Sequence, residues 1–500
     1  MKRLMVLLAA LLWAAVGCQT TPDKTMVLLP VEDDPTISFR LMFKVGSQND
    51  PAGKEGLASI TASMISDAAS ENYAYEDILE RLYPMASSIS SQVDKEMTVI
   101  YGRAHKDNLD DYYTLLKDVV LNPAFDEADF DRVKKNQLSY VERSLRYSQD
   151  EELGKEVLYS FIFEGTPYAH NEEGTVAGIN AITLDDVRNF YQQHYTRANL
   201  VIGLGGGFAM DFPEMVKADL AALPEGTPST VPASQPAPIE GTEVKIVSKN
   251  AASTAISFGF PIEPVRGQRD FYALAIATSW LGEHRNSFSH LFEVIREKRG
   301  LNYGDYAYVE HFPNGGSRQF PPPNVARRQQ IFQIWIRPVP NTATAFSFRA
   351  AVRELDKLVN QGMSQEDFDL TRKFLSNYIL HYAPTTMMKL GYALDDRFYG
   401  IPTDHWKRYG EMLREITRDE VNAALKTHFS ATNMKAVFVT DAGEVDALTT
   451  TLVENTPSPI SYESPKPDEI LEEDKAISTY PLSVSADAVT VVPVDSVFQN

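Results

Sequence analysis

Ile182-Thr-Leu-Asp-Asp-Val-Arg-Asn-Phe-Tyr-Gln-Gln-His194-Tyr-Thr-Arg-Ala-Asn199 returns 234 positions later as Ile416-Thr-Arg-Asp-Glu-Val-Asn-Ala-Ala-Leu-Lys-Thr-His428-Phe-Ser-Ala-Thr-Asn433. Ile182, Thr183, Asp185, Val187, His194 and Asn199 recur as Ile416, Thr417, Asp419, Val421, His428 and Asn433. Thr183-x-x-Asp186 and Thr417-x-x-Glu420 each set a hydroxyl three residues before an acid, which is how a helix begins. Each predicted helix runs into an apolar strand, Leu200-Val-Ile-Gly-Leu204 and Ala436-Val-Phe-Val439, dense in the β-branched and aliphatic residues of buried strands. Upstream, Ile37-Ser-Phe-Arg-Leu-Met-Phe43 and Ile256-Ser-Phe-Gly-Phe260 are each followed by a helical stretch. The chain therefore reads as one unit written twice, giving two α+β domains of about 200 residues each.

Domain limits follow from composition. Residues 224–243 are rich in proline and have no periodic apolar face, so they read as a linker between a domain over 31–223 and a second over 244–450. Residues 451–500 hold nine acids, two lysines and six prolines, and are expected to form an extended or partly disordered tail. The Val-rich stretch Ala488-Val-Thr-Val-Val-Pro-Val494 within it has the character of an edge strand or a partner contact. His194 and His428, equivalent in the repeat, sit at helix C-termini, where an imidazole interacts favourably with the dipole. That structural role outweighs a catalytic one.

At the other end, Met1-Lys2-Arg3, the apolar run Leu4–Val16 and Gly17-Cys18 have the order of an export signal over 1–17. The apolar run is short for a bilayer span. Ala15-Val-Gly-Cys18 resembles a bacterial lipobox. The resemblance implies acylation of Cys18, a lipid tether over 18–30 and a place in the bacterial envelope, with Gln19 pointing to the outer membrane facing the periplasm. A thiol left in an ordinary signal peptide, or an uncleaved anchor, are the alternatives. Loss of Lys2 and Arg3 with the signal takes the formal charge from −21 to −23, a surface that repels phosphate backbones and argues against nucleic-acid binding. Cys18 is the only cysteine, so once it is acylated no thiol remains, and disulfides, a thiol nucleophile and cysteine-ligated metal clusters within the chain are excluded.

Val45-Gly-Ser-Gln-Asn-Asp-Pro-Ala-Gly-Lys-Glu-Gly-Leu-Ala58 resembles the lead-in to the inverted zinc motif of the insulinase/pitrilysin peptidases, where His-x-x-Glu-His follows on a helix. In that motif two histidines four apart ligate zinc and the glutamate takes the proton of the attacking water. Here the positions hold Ser59, Ala62 and Ser63, two neutral hydroxyls and a methyl group. The family's third ligand is a downstream glutamate, for which Glu142 lies in the right region. One carboxylate cannot hold the metal, so this chain is expected to bind no zinc of its own. A serine nucleophile at 59 or 63 would need a base, and none is marked.

The second half keeps more. Leu291-Phe-Glu-Val-Ile-Arg296-Glu-Lys-Arg-Gly-Leu-Asn-Tyr303-Gly304 resembles the C-terminal signature of the same family, whose arginine and tyrosine reach across a cavity to bind substrate and steady the oxyanion. Those residues here are Arg296 and Tyr303, the chemistry being a permanent cation and a phenol donor aimed at developing charge. The alternative is a local pairing of Arg296 with an acid such as Glu293, with Glu297, Lys298 and Arg299 as a solvated helix end. Gly165-Thr-Pro-Tyr-Ala-His170 also resembles a family segment, and His311 to Pro323 reads as an exposed loop. The resemblance spans most of 30–445 and implies two homologous domains, each a largely antiparallel sheet packed with helices, closing as a clam-shell around a central cavity. It implies a non-catalytic subunit that binds peptide and completes the zinc site of a partner subunit carrying the intact motif. The competing reading is an envelope scaffold or peptide-binding lipoprotein without proteolysis.

Overall fold

Ile37, Phe39, Leu41 and Phe43 alternate along one strand with Ser38, Arg40 and Met42, and both sets are buried. Successive side chains of a strand point to opposite faces, so a strand buried at every position lies in a sheet covered on both sides. That is the central strand of the first of two sheets. The computed structural model describes residues 24–500 apart from 232–233, 283–287, 313–319, 379–380 and 382. Cys18 and the signal segment lie outside the described residues, as do most of the loop after Phe312. Among the described residues no helix is long and apolar enough to cross a membrane.

The first sheet holds β1 (Met26–Pro30), β2 (Thr36–Phe43), β3 (Ile89–Val93), β4 (Thr98–His105) and β5 (Leu200–Gly206), in the order β1-β5-β2-β4-β3. The second holds β6 (Thr242–Lys249), β7 (Ser253–Ile262), β8 (Asp305–Tyr308), β9 (Gln330–Pro340), β10 (Met434–Asp441) and β11 (Val489–Pro493), in the order β11-β6-β10-β7-β9-β8. Without β11 the two orders are the same, and in both the strand that opens the domain runs parallel to the one that closes it while the other pairs are antiparallel. The repeat seen in sequence is thus a repeat of topology, and the two-domain α+β architecture is as expected.

Eight helices matter below: α1 (Leu57–Ser66), α2 (Glu127–Ser139), α3 (Asp150–Ile162), α4 (Leu184–His194), α5 (Arg269–Gly282), α6 (Thr386–Tyr399), α7 (Arg418–His428) and α8 (Asp468–Ser478). Both α4 and α7 start with the capping box read from sequence, Thr183 with Asp186 and Thr417 with Glu420. Helix α1 packs on β3 and β4 of the first sheet with α2 and α4 packed against it, and α5 with Thr344–Gln361 covers one face of the second.

The remaining faces are covered crosswise. Helix α3, from the first half, lies on β7, β9 and β10 of the second sheet, and its core residues merge with Ala255, Ile331, Val437 and Val439. Gly154 lets it come close, since a Cβ there would stand 3.3 Å from Ser257 Oγ. Helix α6, from the second half, lies on β1, β2 and β5 of the first sheet, where Leu390, Ala393, Leu394 and Phe398 pack on Val27, Met42, Val99 and Val201. The shift of 234 positions carries 150–162 onto 384–396, so α3 and α6 are repeat partners exchanged between halves.

Four expectations change. The tether is shorter than 18–30, because Met26–Pro30 is strand β1, with Met26 and Val27 buried beside β5. The tail is ordered. Val445–Glu454 and Asp468–Ser478 are helical, β11 adds an edge strand parallel to β6 as its valines suggested, and Val494, Val497 and Phe498 are buried against the first half. Arg299 is no solvated helix end: it is buried and bonds Glu473 at 2.9 Å and Asp474 at 2.8 Å, which neutralises part of the tail's acidity. His311 and Phe312, expected on an exposed loop, are buried, as are Pro321 and Pro323.

The linker is pinned rather than free. Ser229 accepts from Asn199 Nδ2 at 2.8 Å and sits 2.8 Å from His194 Nδ1, while its own N–H donates to Asn199 Oδ1 at 2.7 Å. Burial lowers the His194 pKa and favours the neutral ring, so this histidine anchors the linker by hydrogen bonding. His428, its repeat partner, stands 2.8 Å from Asp270.

Candidate functional site

Helix α1 is held at its start by Asp50, whose wholly buried carboxylate accepts from the N–H groups of Gly56 and Ala58, each at 2.7 Å. Gly56 is required there. Its φ is +106°, and a Cβ would meet the Glu173 carbonyl at 2.7 Å. One turn on, Ser59 is buried and its hydroxyl donates to Glu173 Oε2 at 2.9 Å. Ala62 is buried and Ser63 half-buried on the same helix. Glu142 stands half-buried on a π-helical turn, Tyr140–Ser148; the carboxylate that Ser59 takes is Glu173 instead.

Around this point the seam between the halves is acidic and wired. Burial and the neighbouring Glu172 carboxylate raise the Glu173 pKa, and the hydrogen bond from Ser59 opposes them. Glu156, on α3, is raised to about 7 by burial and then by Glu172, with Lys95 and the Asn171 amide (2.7 Å) opposing. Burial would raise Glu172 too, but Lys95 at 3.0 Å and Arg327 at 2.7 Å outweigh it and hold that carboxylate below its usual range. Arg327 is fully buried, bonds Asp94 through Nε (2.6 Å) and Nη2 (2.9 Å), and lies over the Tyr159 ring at 4.5 Å. His311 faces this cluster, and burial followed by the charge of Arg327 keeps it neutral.

Zinc does not fit here. Ser59 is committed to Glu173, Ala62 carries no base, and among the described residues no group of three or more His, Cys, Asp or Glu is placed to hold a metal ion.

The second candidate pair is brought together. Arg296 sits on a second π-helical turn, Phe292–Glu297, a distortion frequent at functional positions. Its guanidinium lies 4.7 Å from the Tyr303 ring centroid and 4.8 Å from that of Phe292. Tyr303 is 66% exposed. Glu293, the local partner considered for Arg296, is taken by Lys298 at 2.9 Å, and Arg296 itself stands 4.0 Å from the Glu297 carboxylate. The pair sets a half-exposed guanidinium, ion-paired only loosely with Glu297, beside a solvent-facing phenol.

Residues 25–175 match the family profile described as insulinase (peptidase family M16), and residues 181–375 match that of the peptidase M16 inactive domain. The chain belongs to the insulinase family, M16. Within M16 it is of the non-catalytic kind, as the loss of both histidines and the glutamate from α1 requires. A non-peptidase homologue, YmxG, of Helicobacter pylori is 22% identical over 81% of this chain and 88% of its own length. An uncharacterized zinc protease of Rickettsia bellii is 25% identical over 56% of this chain and 66% of its own. The crystal structure of a peptidase M16 inactive domain from Pseudomonas fluorescens superposes with a TM-score of 0.73 at 21% identity, over 83% of this chain and 95% of that one, and so shares the fold.

The sequence singled out the α1 positions and Arg296 with Tyr303, which the fold places side by side, and gave no notice of Glu156, Asn171 and Glu173. A signal was within reach, since Asn171-Glu172-Glu173 follows directly on the recognised segment ending at His170. Arg337, which also lies over the Tyr303 ring at 5.4 Å, had only the faint mark of a cation ending the apolar run of β9.

Proposed function

We propose that this M16 chain is a non-catalytic subunit of an envelope peptidase: it binds peptide and completes the zinc site of a partner subunit with Arg296 and Tyr303. The observation that carries this reading is the contrast between the two sites. The α1 positions are spent on a buried Ser59–Glu173 contact, while Arg296 and Tyr303 stay together and reach solvent. The partner is an M16 subunit with His-x-x-Glu-His, which supplies the metal and the water-activating base. This chain supplies a guanidinium and a phenol that donate to the scissile carbonyl as its oxygen gains charge. Acylation of Cys18 tethers the subunit to the membrane, with the outer membrane facing the periplasm as its place. The scaffold reading draws on a different observation, the crossed helices and buried ion pairs that fix the halves against each other.

The test is peptide hydrolysis by the mature protein, alone and mixed with a zinc-motif M16 subunit, using wild type and the double variant Arg296→Ala/Tyr303→Phe. Activity that appears only on mixing and is lost in the double variant, while the complex still forms, supports the proposal. A mixture indifferent to both substitutions leaves the scaffold reading ahead, and zinc-dependent hydrolysis by the lone chain refutes both.

A further inference from the structure

Tyr303 sits on a short turn between the arginine-bearing helix and β8, and one residue of another strand holds that turn at several points. The N–H of Arg337 on β9 donates to the Gly304 carbonyl at 3.1 Å, and its own carbonyl accepts from Asn302 Nδ2 at 3.2 Å. Its guanidinium hydrogen-bonds the Tyr306 side chain and lies over the Tyr303 ring at 5.4 Å. The same guanidinium reaches the opposite half: Nε bonds Glu151 Oε2 at 3.0 Å, at the start of α3. Glu151 is in turn shared with Lys155 at 3.0 Å, and Lys155 stands 3.7 Å over the ring of Trp335, two residues before Arg337.

We propose that Arg337 is a positioning residue for the Arg296–Tyr303 pair, and that through Glu151 it ties the placement of the Tyr303 phenol to α3, the helix that the first half lends to the second sheet. Three features argue for it. A planar guanidinium is the one cationic side chain able to lie along a phenol ring while its edge bonds a carboxylate, so Arg337 does two jobs that lysine does only in part. Tyr303 is largely exposed and has little packing of its own, so whatever braces its turn decides where the hydroxyl points. And Glu151 rides on the helix that the first half lends to the second sheet, so a shift of α3 moves the carboxylate end of the brace. The functional meaning rests on the Arg–Tyr reading above, whereas the brace itself is a property of this chain alone.

The experiment places 3-fluorotyrosine at position 303 of the full-length protein and follows its fluorine resonance in Arg337→Met, Arg337→Lys, Glu151→Gln and Glu152→Gln, with near-UV circular dichroism reporting the fold. Glu152 pairs with Lys155 at 2.8 Å and serves as the control acid. Expected is a move of the resonance towards that of free 3-fluorotyrosine in Arg337→Met and in Glu151→Gln, none in Glu152→Gln, and partial return in Arg337→Lys. A resonance unmoved by Arg337→Met overturns the proposal, and one unmoved by Glu151→Gln overturns the link to the opposite half. If Arg337→Met does not fold, Glu151→Gln, which keeps size and shape, carries the test. The readout needs neither partner nor peptide. A fluorine response together with an inactive subunit mixture would therefore leave the brace standing and remove the proposed peptidase role.

Discussion

Replacing Arg327 with methionine removes the cation at the centre of the seam and leaves its stem volume largely filled. The guanidinium is fully buried and holds Asp94 with two hydrogen bonds, at 2.6 and 2.9 Å, and Glu172 with a third at 2.7 Å. Removing one partner of a buried ion pair costs about 3–5 kcal/mol, because the other charge stays behind unpaired. Glu172 keeps Lys95 at 3.0 Å, so the loss falls near the lower end, about 3 kcal/mol, and sits mainly on Asp94. Adding Asp94→Asn to Arg327→Met should recover part of it by removing the stranded charge. The assay is urea unfolding followed by near-UV circular dichroism from about pH 8 down to about pH 3, so that the window runs below the unfolded carboxylate pKa. Glu172 titrates below its usual value in the folded chain, so its contribution is present above the unfolded carboxylate pKa and is lost as pH falls through the folded one. Arg327 supplies part of that depression, so the gap between wild type and variant should be widest near neutral pH and narrow on acidification. A loss below about 1 kcal/mol at neutral pH, or a gap that widens in acid, would refute the view of Arg327 as the electrostatic centre of the seam.

Glu156→Gln should act in the other direction. With a folded pKa of about 7 against about 4.5 unfolded, Glu156 contributes stability that is fully present below the unfolded value and is lost as pH rises through the folded one. The variant should therefore match wild type near pH 4.5 and exceed it near pH 8 by at most about 3 kcal/mol, read from unfolding midpoints at each pH. Gly56→Ala forces a side chain into a left-handed residue against the Glu173 carbonyl and should cost more than about 1 kcal/mol; the check is the thermal midpoint, with Gly53→Ala, where a Cβ meets nothing, losing less. Phe498→Ala should loosen the final segment from the first half, where the Val176 and Ala177 N–H groups donate to the Phe498 and Gln499 carbonyls at 2.9 Å, and hydrogen exchange at those two amides should rise several-fold.

What could be read from the chain follows the range of the interactions involved. The capping boxes, the strands after them and the repeat are local or periodic, and Thr183–Asp186 and Thr417–Glu420 needed no knowledge of their surroundings. The exchange of α3 and α6 was not legible, because an apolar helix face does not say which sheet it will meet. The tail misled through its composition. A few apolar residues, Ile477, Leu482, Val494, Val497 and Phe498, and two carboxylates opposite buried Arg299 suffice to order it, whatever the average charge. At the site, Ser59, Ala62 and Ser63 were read from a motif. The Ser59–Glu173 bond joins residues more than a hundred positions apart, and the brace from Arg337 to Glu151 joins two different halves. Neither leaves a trace in spacing.

The crossed helices carry a consequence for how such a chain is put together. A half produced alone would keep one sheet face bare, the face its sister's helix was meant to cover, and would offer its own α3 or α6 with nothing beneath it. Two separate halves would satisfy each other by trading those helices, as swapped protomers do. The linker over 224–241 makes that trade permanent by holding the second copy at hand, so a pairing that would otherwise depend on concentration becomes an event within one molecule.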